Sequence, residues 1–151
     1  MGHRRFPLFV DLTGRRAVVV GGGPVGLRRA AALARFGAAV TVIAPALAGP
    51  VGEGAAHAAR PYRPGDLEGA FLAVAAAGDP TVNAAVGEEA RRLGIPFNRA
   101  DCPADCDFFF PAICESGALV AGLVGDGGDH AAVAAAARRV RAALAGEEGA
   151  R

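Results

Sequence analysis

Ala17-Val18-Val19-Val20-Gly21-Gly22-Gly23-Pro24-Val25-Gly26 is the stretch that decides the fold. Its first four residues are apolar and three of them β-branched, which reads as a buried strand. The Ala/Leu/Arg-rich segment that follows repeats its apolar residues at helical spacing. The glycines therefore sit at a strand-to-helix turn. Gly21-x-Gly23-x-x-Gly26 fits the dinucleotide fingerprint: one glycine makes the tight turn, one lets a pyrophosphate approach the backbone, and one lets the helix pack close to the strand. Phosphates bound there would lie at the positive end of the helix dipole. In a chain with 22 glycines the bare motif is weak. The flanking strand and helix separate it from a purely structural glycine turn.

Working outward, residues 6–12 read as an extended lead-in and 13–16 as a polar turn. After the glycines, residues 27–36 form a helix with Ala30, Ala31, Leu33 and Ala34 as a narrow packing face and Gly37 as its stop. Residues 40–44 are a second buried strand, completing a β-α-β unit whose crossover must be right-handed. Residues 45–59, rich in Gly, Ala and Pro, suggest no more than a short helix around 52–58. Asp66 to Gly69 reads as a turn or cap before a strand at 71–76. A second helix starts at Gly78-Asp79-Pro80, with Asp79 or Thr81 as cap, and ends at Gly94. Residues 95–99 are a fourth strand. Four strands alternating with helices predict an open parallel α/β sheet. Beyond it, runs at 108–113 and 119–124 joined by Glu115-Ser116-Gly117 suggest a hairpin, followed by a helix over 129–144 and a frayed tail from 146. The expectation is a Rossmann-like domain over 1–107 and a short hairpin-plus-helix segment over 108–151.

Of the 151 residues, 52% are hydrophobic, enough for one domain and a small appendage with a real core. Sixteen basic against fifteen acidic residues leave a charge of +1, which gives no electrostatic footprint for nucleic acid or an acidic membrane surface. No apolar run is long enough to span a membrane, and the first residues do not form a signal-peptide core. The expected location is the cytoplasm. Cys102, Cys106 and Cys114, an odd number without a secretory signal, argue against a disulfide framework.

Several residues could carry chemistry. The second strand ends Val42-Ile43-Ala44-Pro45, without the acidic residue that usually holds the ribose and without a nearby Arg or Lys, so these residues leave NAD and its phosphorylated form both open. Arg28 and Arg29 fall in the first turns of the helix, where one could face the phosphates or both could be solvated. Asn98-Arg99-Ala100-Asp101 ends a parallel strand, the place where α/β sheets put ligand-contacting groups. Asp101 is the best carboxylate for proton chemistry, against the alternative of a carboxylate capping its own turn. Cys102, Asp105, Cys106 and Asp107, with His130 added, invite a metal, but the spacing matches no closed zinc pattern and no metal is expected.

The ordered series Phe6-Pro7-Leu8-Phe9-Val10-Asp11-Leu12, Val18 to Gly26 and Val40-Thr41-Val42-Ile43-Ala44-Pro45 resembles the N-terminal part of siroheme synthase, the precorrin-2 dehydrogenase family. Asp66-Leu67-Glu68-Gly69-Ala70-Phe71-Leu72, Asn83, Asn98 to Asp101, Cys106-Asp107-Phe108 and Phe110-Pro111-Ala112-Ile113 continue it, so that it covers about residues 6–144. The resemblance implies NAD as cofactor and the oxidation of precorrin-2, a tetrapyrrole. It places Gly21, Gly23, Pro24, Val25 and Gly26 at the cofactor turn, with Ala44, Ala76 and Ala77 on neighbouring strand ends. Asp101 stands at the family's essential aspartate, as base or as positioner of the macrocycle, and Asn98, Gly127, Gly128 and His130 fall on the substrate side. The family also implies a homodimer built through the C-terminal segment. This sequence departs at Ala77-Gly78-Asp79, where the family has Thr-Asp-Asp, and at Gly125 to Ala131, where two aspartates enter a polar loop. The further helical domain usual in the family does not follow the last helix, which leaves the ferrochelatase step open. The alternatives are a non-catalytic NAD- or tetrapyrrole-binding protein and a dehydrogenase of another small substrate.

Overall fold

The computed structural model describes residues 4–148. They form two compact units, Val10–Phe108 and the residues on either side of it.

The first unit is built on five parallel strands: β1 (Arg16–Val20), β2 (Ala39–Ile43), β3 (Ala55–Ala58), β4 (Leu72–Ala75) and β5 (Phe97–Arg99). They lie in the order β3-β2-β1-β4-β5, so the chain runs outward from β1 to β3 and returns to β4 on the other side of β1. Val18 is in register with Thr41 on one side and Ala73 on the other. The central strands are buried on both faces, which is why they read as unbroken apolar runs rather than alternating ones. Helix α1 (Pro24–Arg35) buries Gly26, Ala30 and Leu33, one stripe at helical spacing. It starts earlier than residue 27 because Pro24 suits the first helical position, where no N–H is required.

Helix α2 (Pro80–Leu93) covers Val18, Val20, Ala73 and Ala75 with Val86 and Ala90, and Phe97 completes this core. Asp79 caps it through the Thr81 N–H at 2.8 Å, and Gly94 ends it in the left-handed region at φ 67°. Gly87 is required by packing: a Cβ there would lie 2.8 Å from the Phe97 ring.

The parallel α/β sheet is borne out, with one correction. Residues 55–58 are not helical but form edge strand β3, paired to β2 from Val40↔Ala55 to Ile43↔Ala58. Ala-Ala-His-Ala carries no apolar alternation, and the neighbouring backbone, rather than side-chain patterning, makes it a strand.

In the other unit, β6 (Ala112–Ser116) and β7 (Leu119–Leu123) form an antiparallel hairpin on α3 (His130–Glu148). The first strand starts at Ala112, not at 108, since Pro111 has no N–H for a ladder. Cys114 and Ala137 are both fully buried, with the Cys114 thiol 3.5 Å from the Ala137 carbonyl. Arg141 donates to the Ile113 carbonyl at 2.9 Å and Ser116 to that of Leu144 at 3.3 Å. Arg5 lies over the Phe109 ring and donates to the Gly125 carbonyl. The helix runs past residue 144 to Glu148; the rest of the expected frayed tail lies outside the described residues. Among the described residues no helix is long and apolar enough to cross a membrane.

Candidate functional site

The sheet order reverses between β1 and β4, and a crevice opens at such a reversal beyond the carboxyl ends of the strands. Gly21 closes β1 there, its N–H bonded to the Ile43 carbonyl at 2.9 Å and its φ at 121°. A Cβ on Gly21 would stand 2.3 Å from the Ala76 carbonyl oxygen, and one on Gly26 would stand 2.2 Å from that of Gly21. These two glycines are needed for the main chain to pass itself. Gly23 differs: it is the N-cap of α1, no side chain caps it, and a Cβ on it would meet nothing within 4 Å. The first-turn N–H groups of α1 have no partner inside the helix, and the space beside Gly23 is open. This cradle fits the pyrophosphate of a dinucleotide.

The neighbouring strand ends complete the rim. Ala44 follows β2, its N–H on the Ala58 carbonyl at 3.2 Å and its own carbonyl 2.8 Å from His57 Nε2. The segment after it folds back on the turn, where Ala48 donates to the Gly22 carbonyl at 2.8 Å. No cationic side chain occurs from Pro45 to Pro50. Ala76 donates to the Val20 carbonyl at 2.7 Å, locking the end of β4 against that of β1. Asn83 holds Ala77 at two points, accepting from its N–H at 2.9 Å and donating to its carbonyl at 3.0 Å.

Asp101 lies just past β5, and Ala100 donates to the Ala75 carbonyl at 2.9 Å, which keeps this end beside β4. Its carboxylate takes Arg99 Nε at 2.7 Å and Nη2 at 3.3 Å. The Arg99 guanidinium holds the Asp101 carboxyl below the usual carboxylate range; partial burial opposes this, and the Asn83 amide adds to it. The Arg99 guanidinium is in turn held more firmly protonated by Asp101 and Asp105. Asp101 is thus a fixed anion at neutral pH.

Asn98 is 3% exposed, and its amide is used inside the unit. Oδ1 accepts from Arg29 at 2.6 Å, and Nδ2 donates to the Phe108 carbonyl at 2.7 Å. Its side chain therefore braces the site instead of projecting into it. Of the two helix arginines, Arg28 is exposed, while Arg29 turns inward and is desolvated enough to lower its pKa. Burial likewise raises the Cys106 thiol, whose sulfur accepts the Arg99 N–H at 3.1 Å. Cys102, Cys106 and Cys114 are free thiols. Among the described residues no group of three or more His, Cys, Asp or Glu is placed to hold a metal.

The predicted cofactor residues and Asp101 thus share the carboxyl edge of one sheet, while Gly127, Gly128 and His130 belong to the other unit. There Gly127 has φ 103°, Gly128 donates to Asp126 at 3.1 Å, and His130 is exposed at the head of α3, which Asp129 caps through Ala132 at 2.8 Å. Sequence reasoning did not assign Asn83 or Arg99 to the site. Asn83 had a signal, since it lies on the same helical stripe as Val86 and Ala90.

The family described as "Putative NAD(P)-binding" matches residues 8–112. A siroheme synthase of Azotobacter vinelandii is 45% identical over 128 residues, 82% of this chain and 27% of that protein. One of Pseudomonas entomophila is 43% identical over 143 residues, 91% of this chain and 30% of that protein. The chain thus spans less than a third of the length of these curated relatives. Among solved structures, the precorrin-2 dehydrogenase SirC matches with a TM-score of 0.71 at 26% identity, over 95% of this chain and 71% of that one. The glycine turn, the crevice beside it and the match over residues 8–112 agree, and the chain belongs to the NAD(P)-binding family.

Proposed function

We propose that this chain oxidises precorrin-2 to sirohydrochlorin with NAD as the acceptor. The observation that carries the reading is the placement, at one sheet edge, of an open glycine cradle at Gly23 and an ionised carboxylate at Asp101. The likeness to siroheme synthases and to a precorrin-2 dehydrogenase supplies the substrate class. The resemblance to the precorrin-2 dehydrogenase family favours NAD over its phosphorylated form, and the segment Pro45 to Pro50 after β2 carries no Arg or Lys that would favour the latter.

Bound NAD supplies a hydride acceptor, taking two electrons and one hydrogen from a ring-bridging carbon while a nitrogen-bound proton leaves. Gly23, Pro24 and Val25 hold the phosphates at the head of α1. Ala76 and Ala77, shaped by Asn83, border the nicotinamide side. Asp101 faces the pyrrole nitrogens, where its fixed charge favours departure of the proton and orients the macrocycle. A carboxylate whose pKa is lowered is a weak proton store, so orientation and charge are its larger contributions.

Incubation with precorrin-2 and NAD should produce the sirohydrochlorin spectrum, and Asp101→Asn should slow it by about 10²-fold or more. A pure, folded sample that binds NAD without turnover would favour the non-catalytic reading.

The same proposal includes a homodimer. Phe6, Leu8 and Phe9 are 87%, 75% and 71% exposed, and Leu119 and Val120 of β7 are exposed as well. Large apolar side chains left in solvent mark an interaction surface, and a second copy of this chain is the partner proposed.

A further inference from the structure

Arg99 is bound on every side. Nε and Nη2 hold the two oxygens of Asp101, Nη1 donates to Asp105 Oδ2 at 2.9 Å, and Nη2 reaches the Pro80 carbonyl at 3.4 Å. Arg91 of α2 lies 3.2 Å from the other oxygen of Asp105. A chain of alternating charge therefore runs from Arg91 to Asp105, Arg99 and Asp101, drawn from α2, the 3₁₀ turn Pro103–Asp105, β5 and the residue ending the site. The Arg99 side chain is only 15% exposed, against 33% for Asp101. Most surface ion pairs contribute little, but a forked, well-anchored guanidinium that grips both carboxylate oxygens fixes direction as well as charge.

We propose that Arg99 is a positioning residue for the reaction, holding the Asp101 carboxylate in one orientation at the carboxyl end of β5. The inference rests on the role given to Asp101 above. Two elements, β5 and α2, contribute to the surroundings of Asp101. From β5 comes Arg99. From α2 come Arg91, which acts through Asp105, and the uncharged amide of Asn83. Asp79 heads the same helix but turns its carboxylate to the Thr81 N–H. Cys102 follows one residue on and Cys106 sits under the Arg99 backbone. Arg99 is thus the one cation in direct contact with Asp101 among the described residues.

The test uses the full chain and two readouts. In Arg99→Gln, kcat for precorrin-2 should fall roughly 10- to 100-fold while KM stays within about twofold, and Arg99→Lys, which keeps the charge but loses the fork, should recover only part. Independently of turnover, the Asp101 carboxyl resonance of isotope-labelled protein should titrate at a higher pH in Arg99→Gln, toward the ordinary value of about 4. A purely structural role predicts a lower melting temperature with kcat unchanged in both variants, even though the titration moves. An unmoved titration together with an unchanged kcat in both variants overturns the proposal. If wild type does not oxidise precorrin-2 yet the titration moves, the reaction is misassigned and the positioning contact stands.

Discussion

A methyl group on Gly21 would collide with the Ala76 carbonyl, and one on Gly23 would meet open space. The two positions therefore separate folding from binding. Gly23→Ala should leave the melting temperature within about 2 °C and weaken NAD binding by about tenfold or more, the equivalent of ~1.4 kcal/mol. Gly21→Ala adds a clash and an unfavourable positive φ, and should lower the melting temperature by roughly 5–10 °C. Calorimetric titration with NAD and thermal melts check both; equal melting temperatures for the two variants would contradict the packing described. The glycine turn was legible because Gly21 and Gly26 answer a local need of the backbone, which must pass itself there. Which of Arg28 and Arg29 turns inward was not, since the deciding partner of Arg29 is Asn98, 69 residues away. Asn98 itself was expected against substrate, and only the fold reveals that its amide is engaged by Arg29 and Phe108.

At the level of elements, α2 and β5 are joined through Gly87 and Phe97. The Cβ of Gly87→Ala would lie 2.8 Å from a ring that is 1% exposed and has nowhere to move. Replacing a helical glycine by alanine gains about 1 kcal/mol in propensity, whereas overpacking a core costs about 1–3 kcal/mol. The expected result is a net loss of about 1 kcal/mol. Adding Phe97→Leu should cost less in the Gly87→Ala background than in wild type, as a double-mutant cycle by urea denaturation would show. The helices and central strands were readable because burial imposes a period on them: Asp79 and Gly94 punctuate α2 where the caps were expected. Edge strand β3 was not readable. Its four residues are half-buried or exposed, and its conformation comes from β2.

Over the whole molecule, carboxylates tied to arginines set the response to acid. Asp66 takes both terminal nitrogens of Arg60, at 2.7 and 2.8 Å, and the Arg63 N–H; its pKa is lowered, as is that of Asp101. Each group has a native pKa below its unfolded one, so its contribution is complete above the unfolded value near 4 and drains away as pH falls through the native value. Stability should therefore drop below about pH 4. Asp66→Asn should lose about 1–2 kcal/mol at neutral pH and show a shallower acid decline, measured by urea denaturation at stepped pH. Arg60, one-third exposed, puts the loss at the low end of that range. The dimer is tested by sedimentation: wild type should run at twice the monomer mass, and Leu8→Asp with Phe9→Asp should shift it toward monomer. A monomeric wild type at micromolar concentration would refute it.

The grip of Asn83 on Ala77 runs entirely through main-chain atoms of the loop. The loop's path is thus written by a residue outside it, on the helix, and the side chain at Ala77 is released from any duty of shaping it. Mutational drift in that loop can change the side chains beside the crevice while the peptide plane keeps its place. Loss of Asn83 would remove that freedom at once, whatever residues the loop carried.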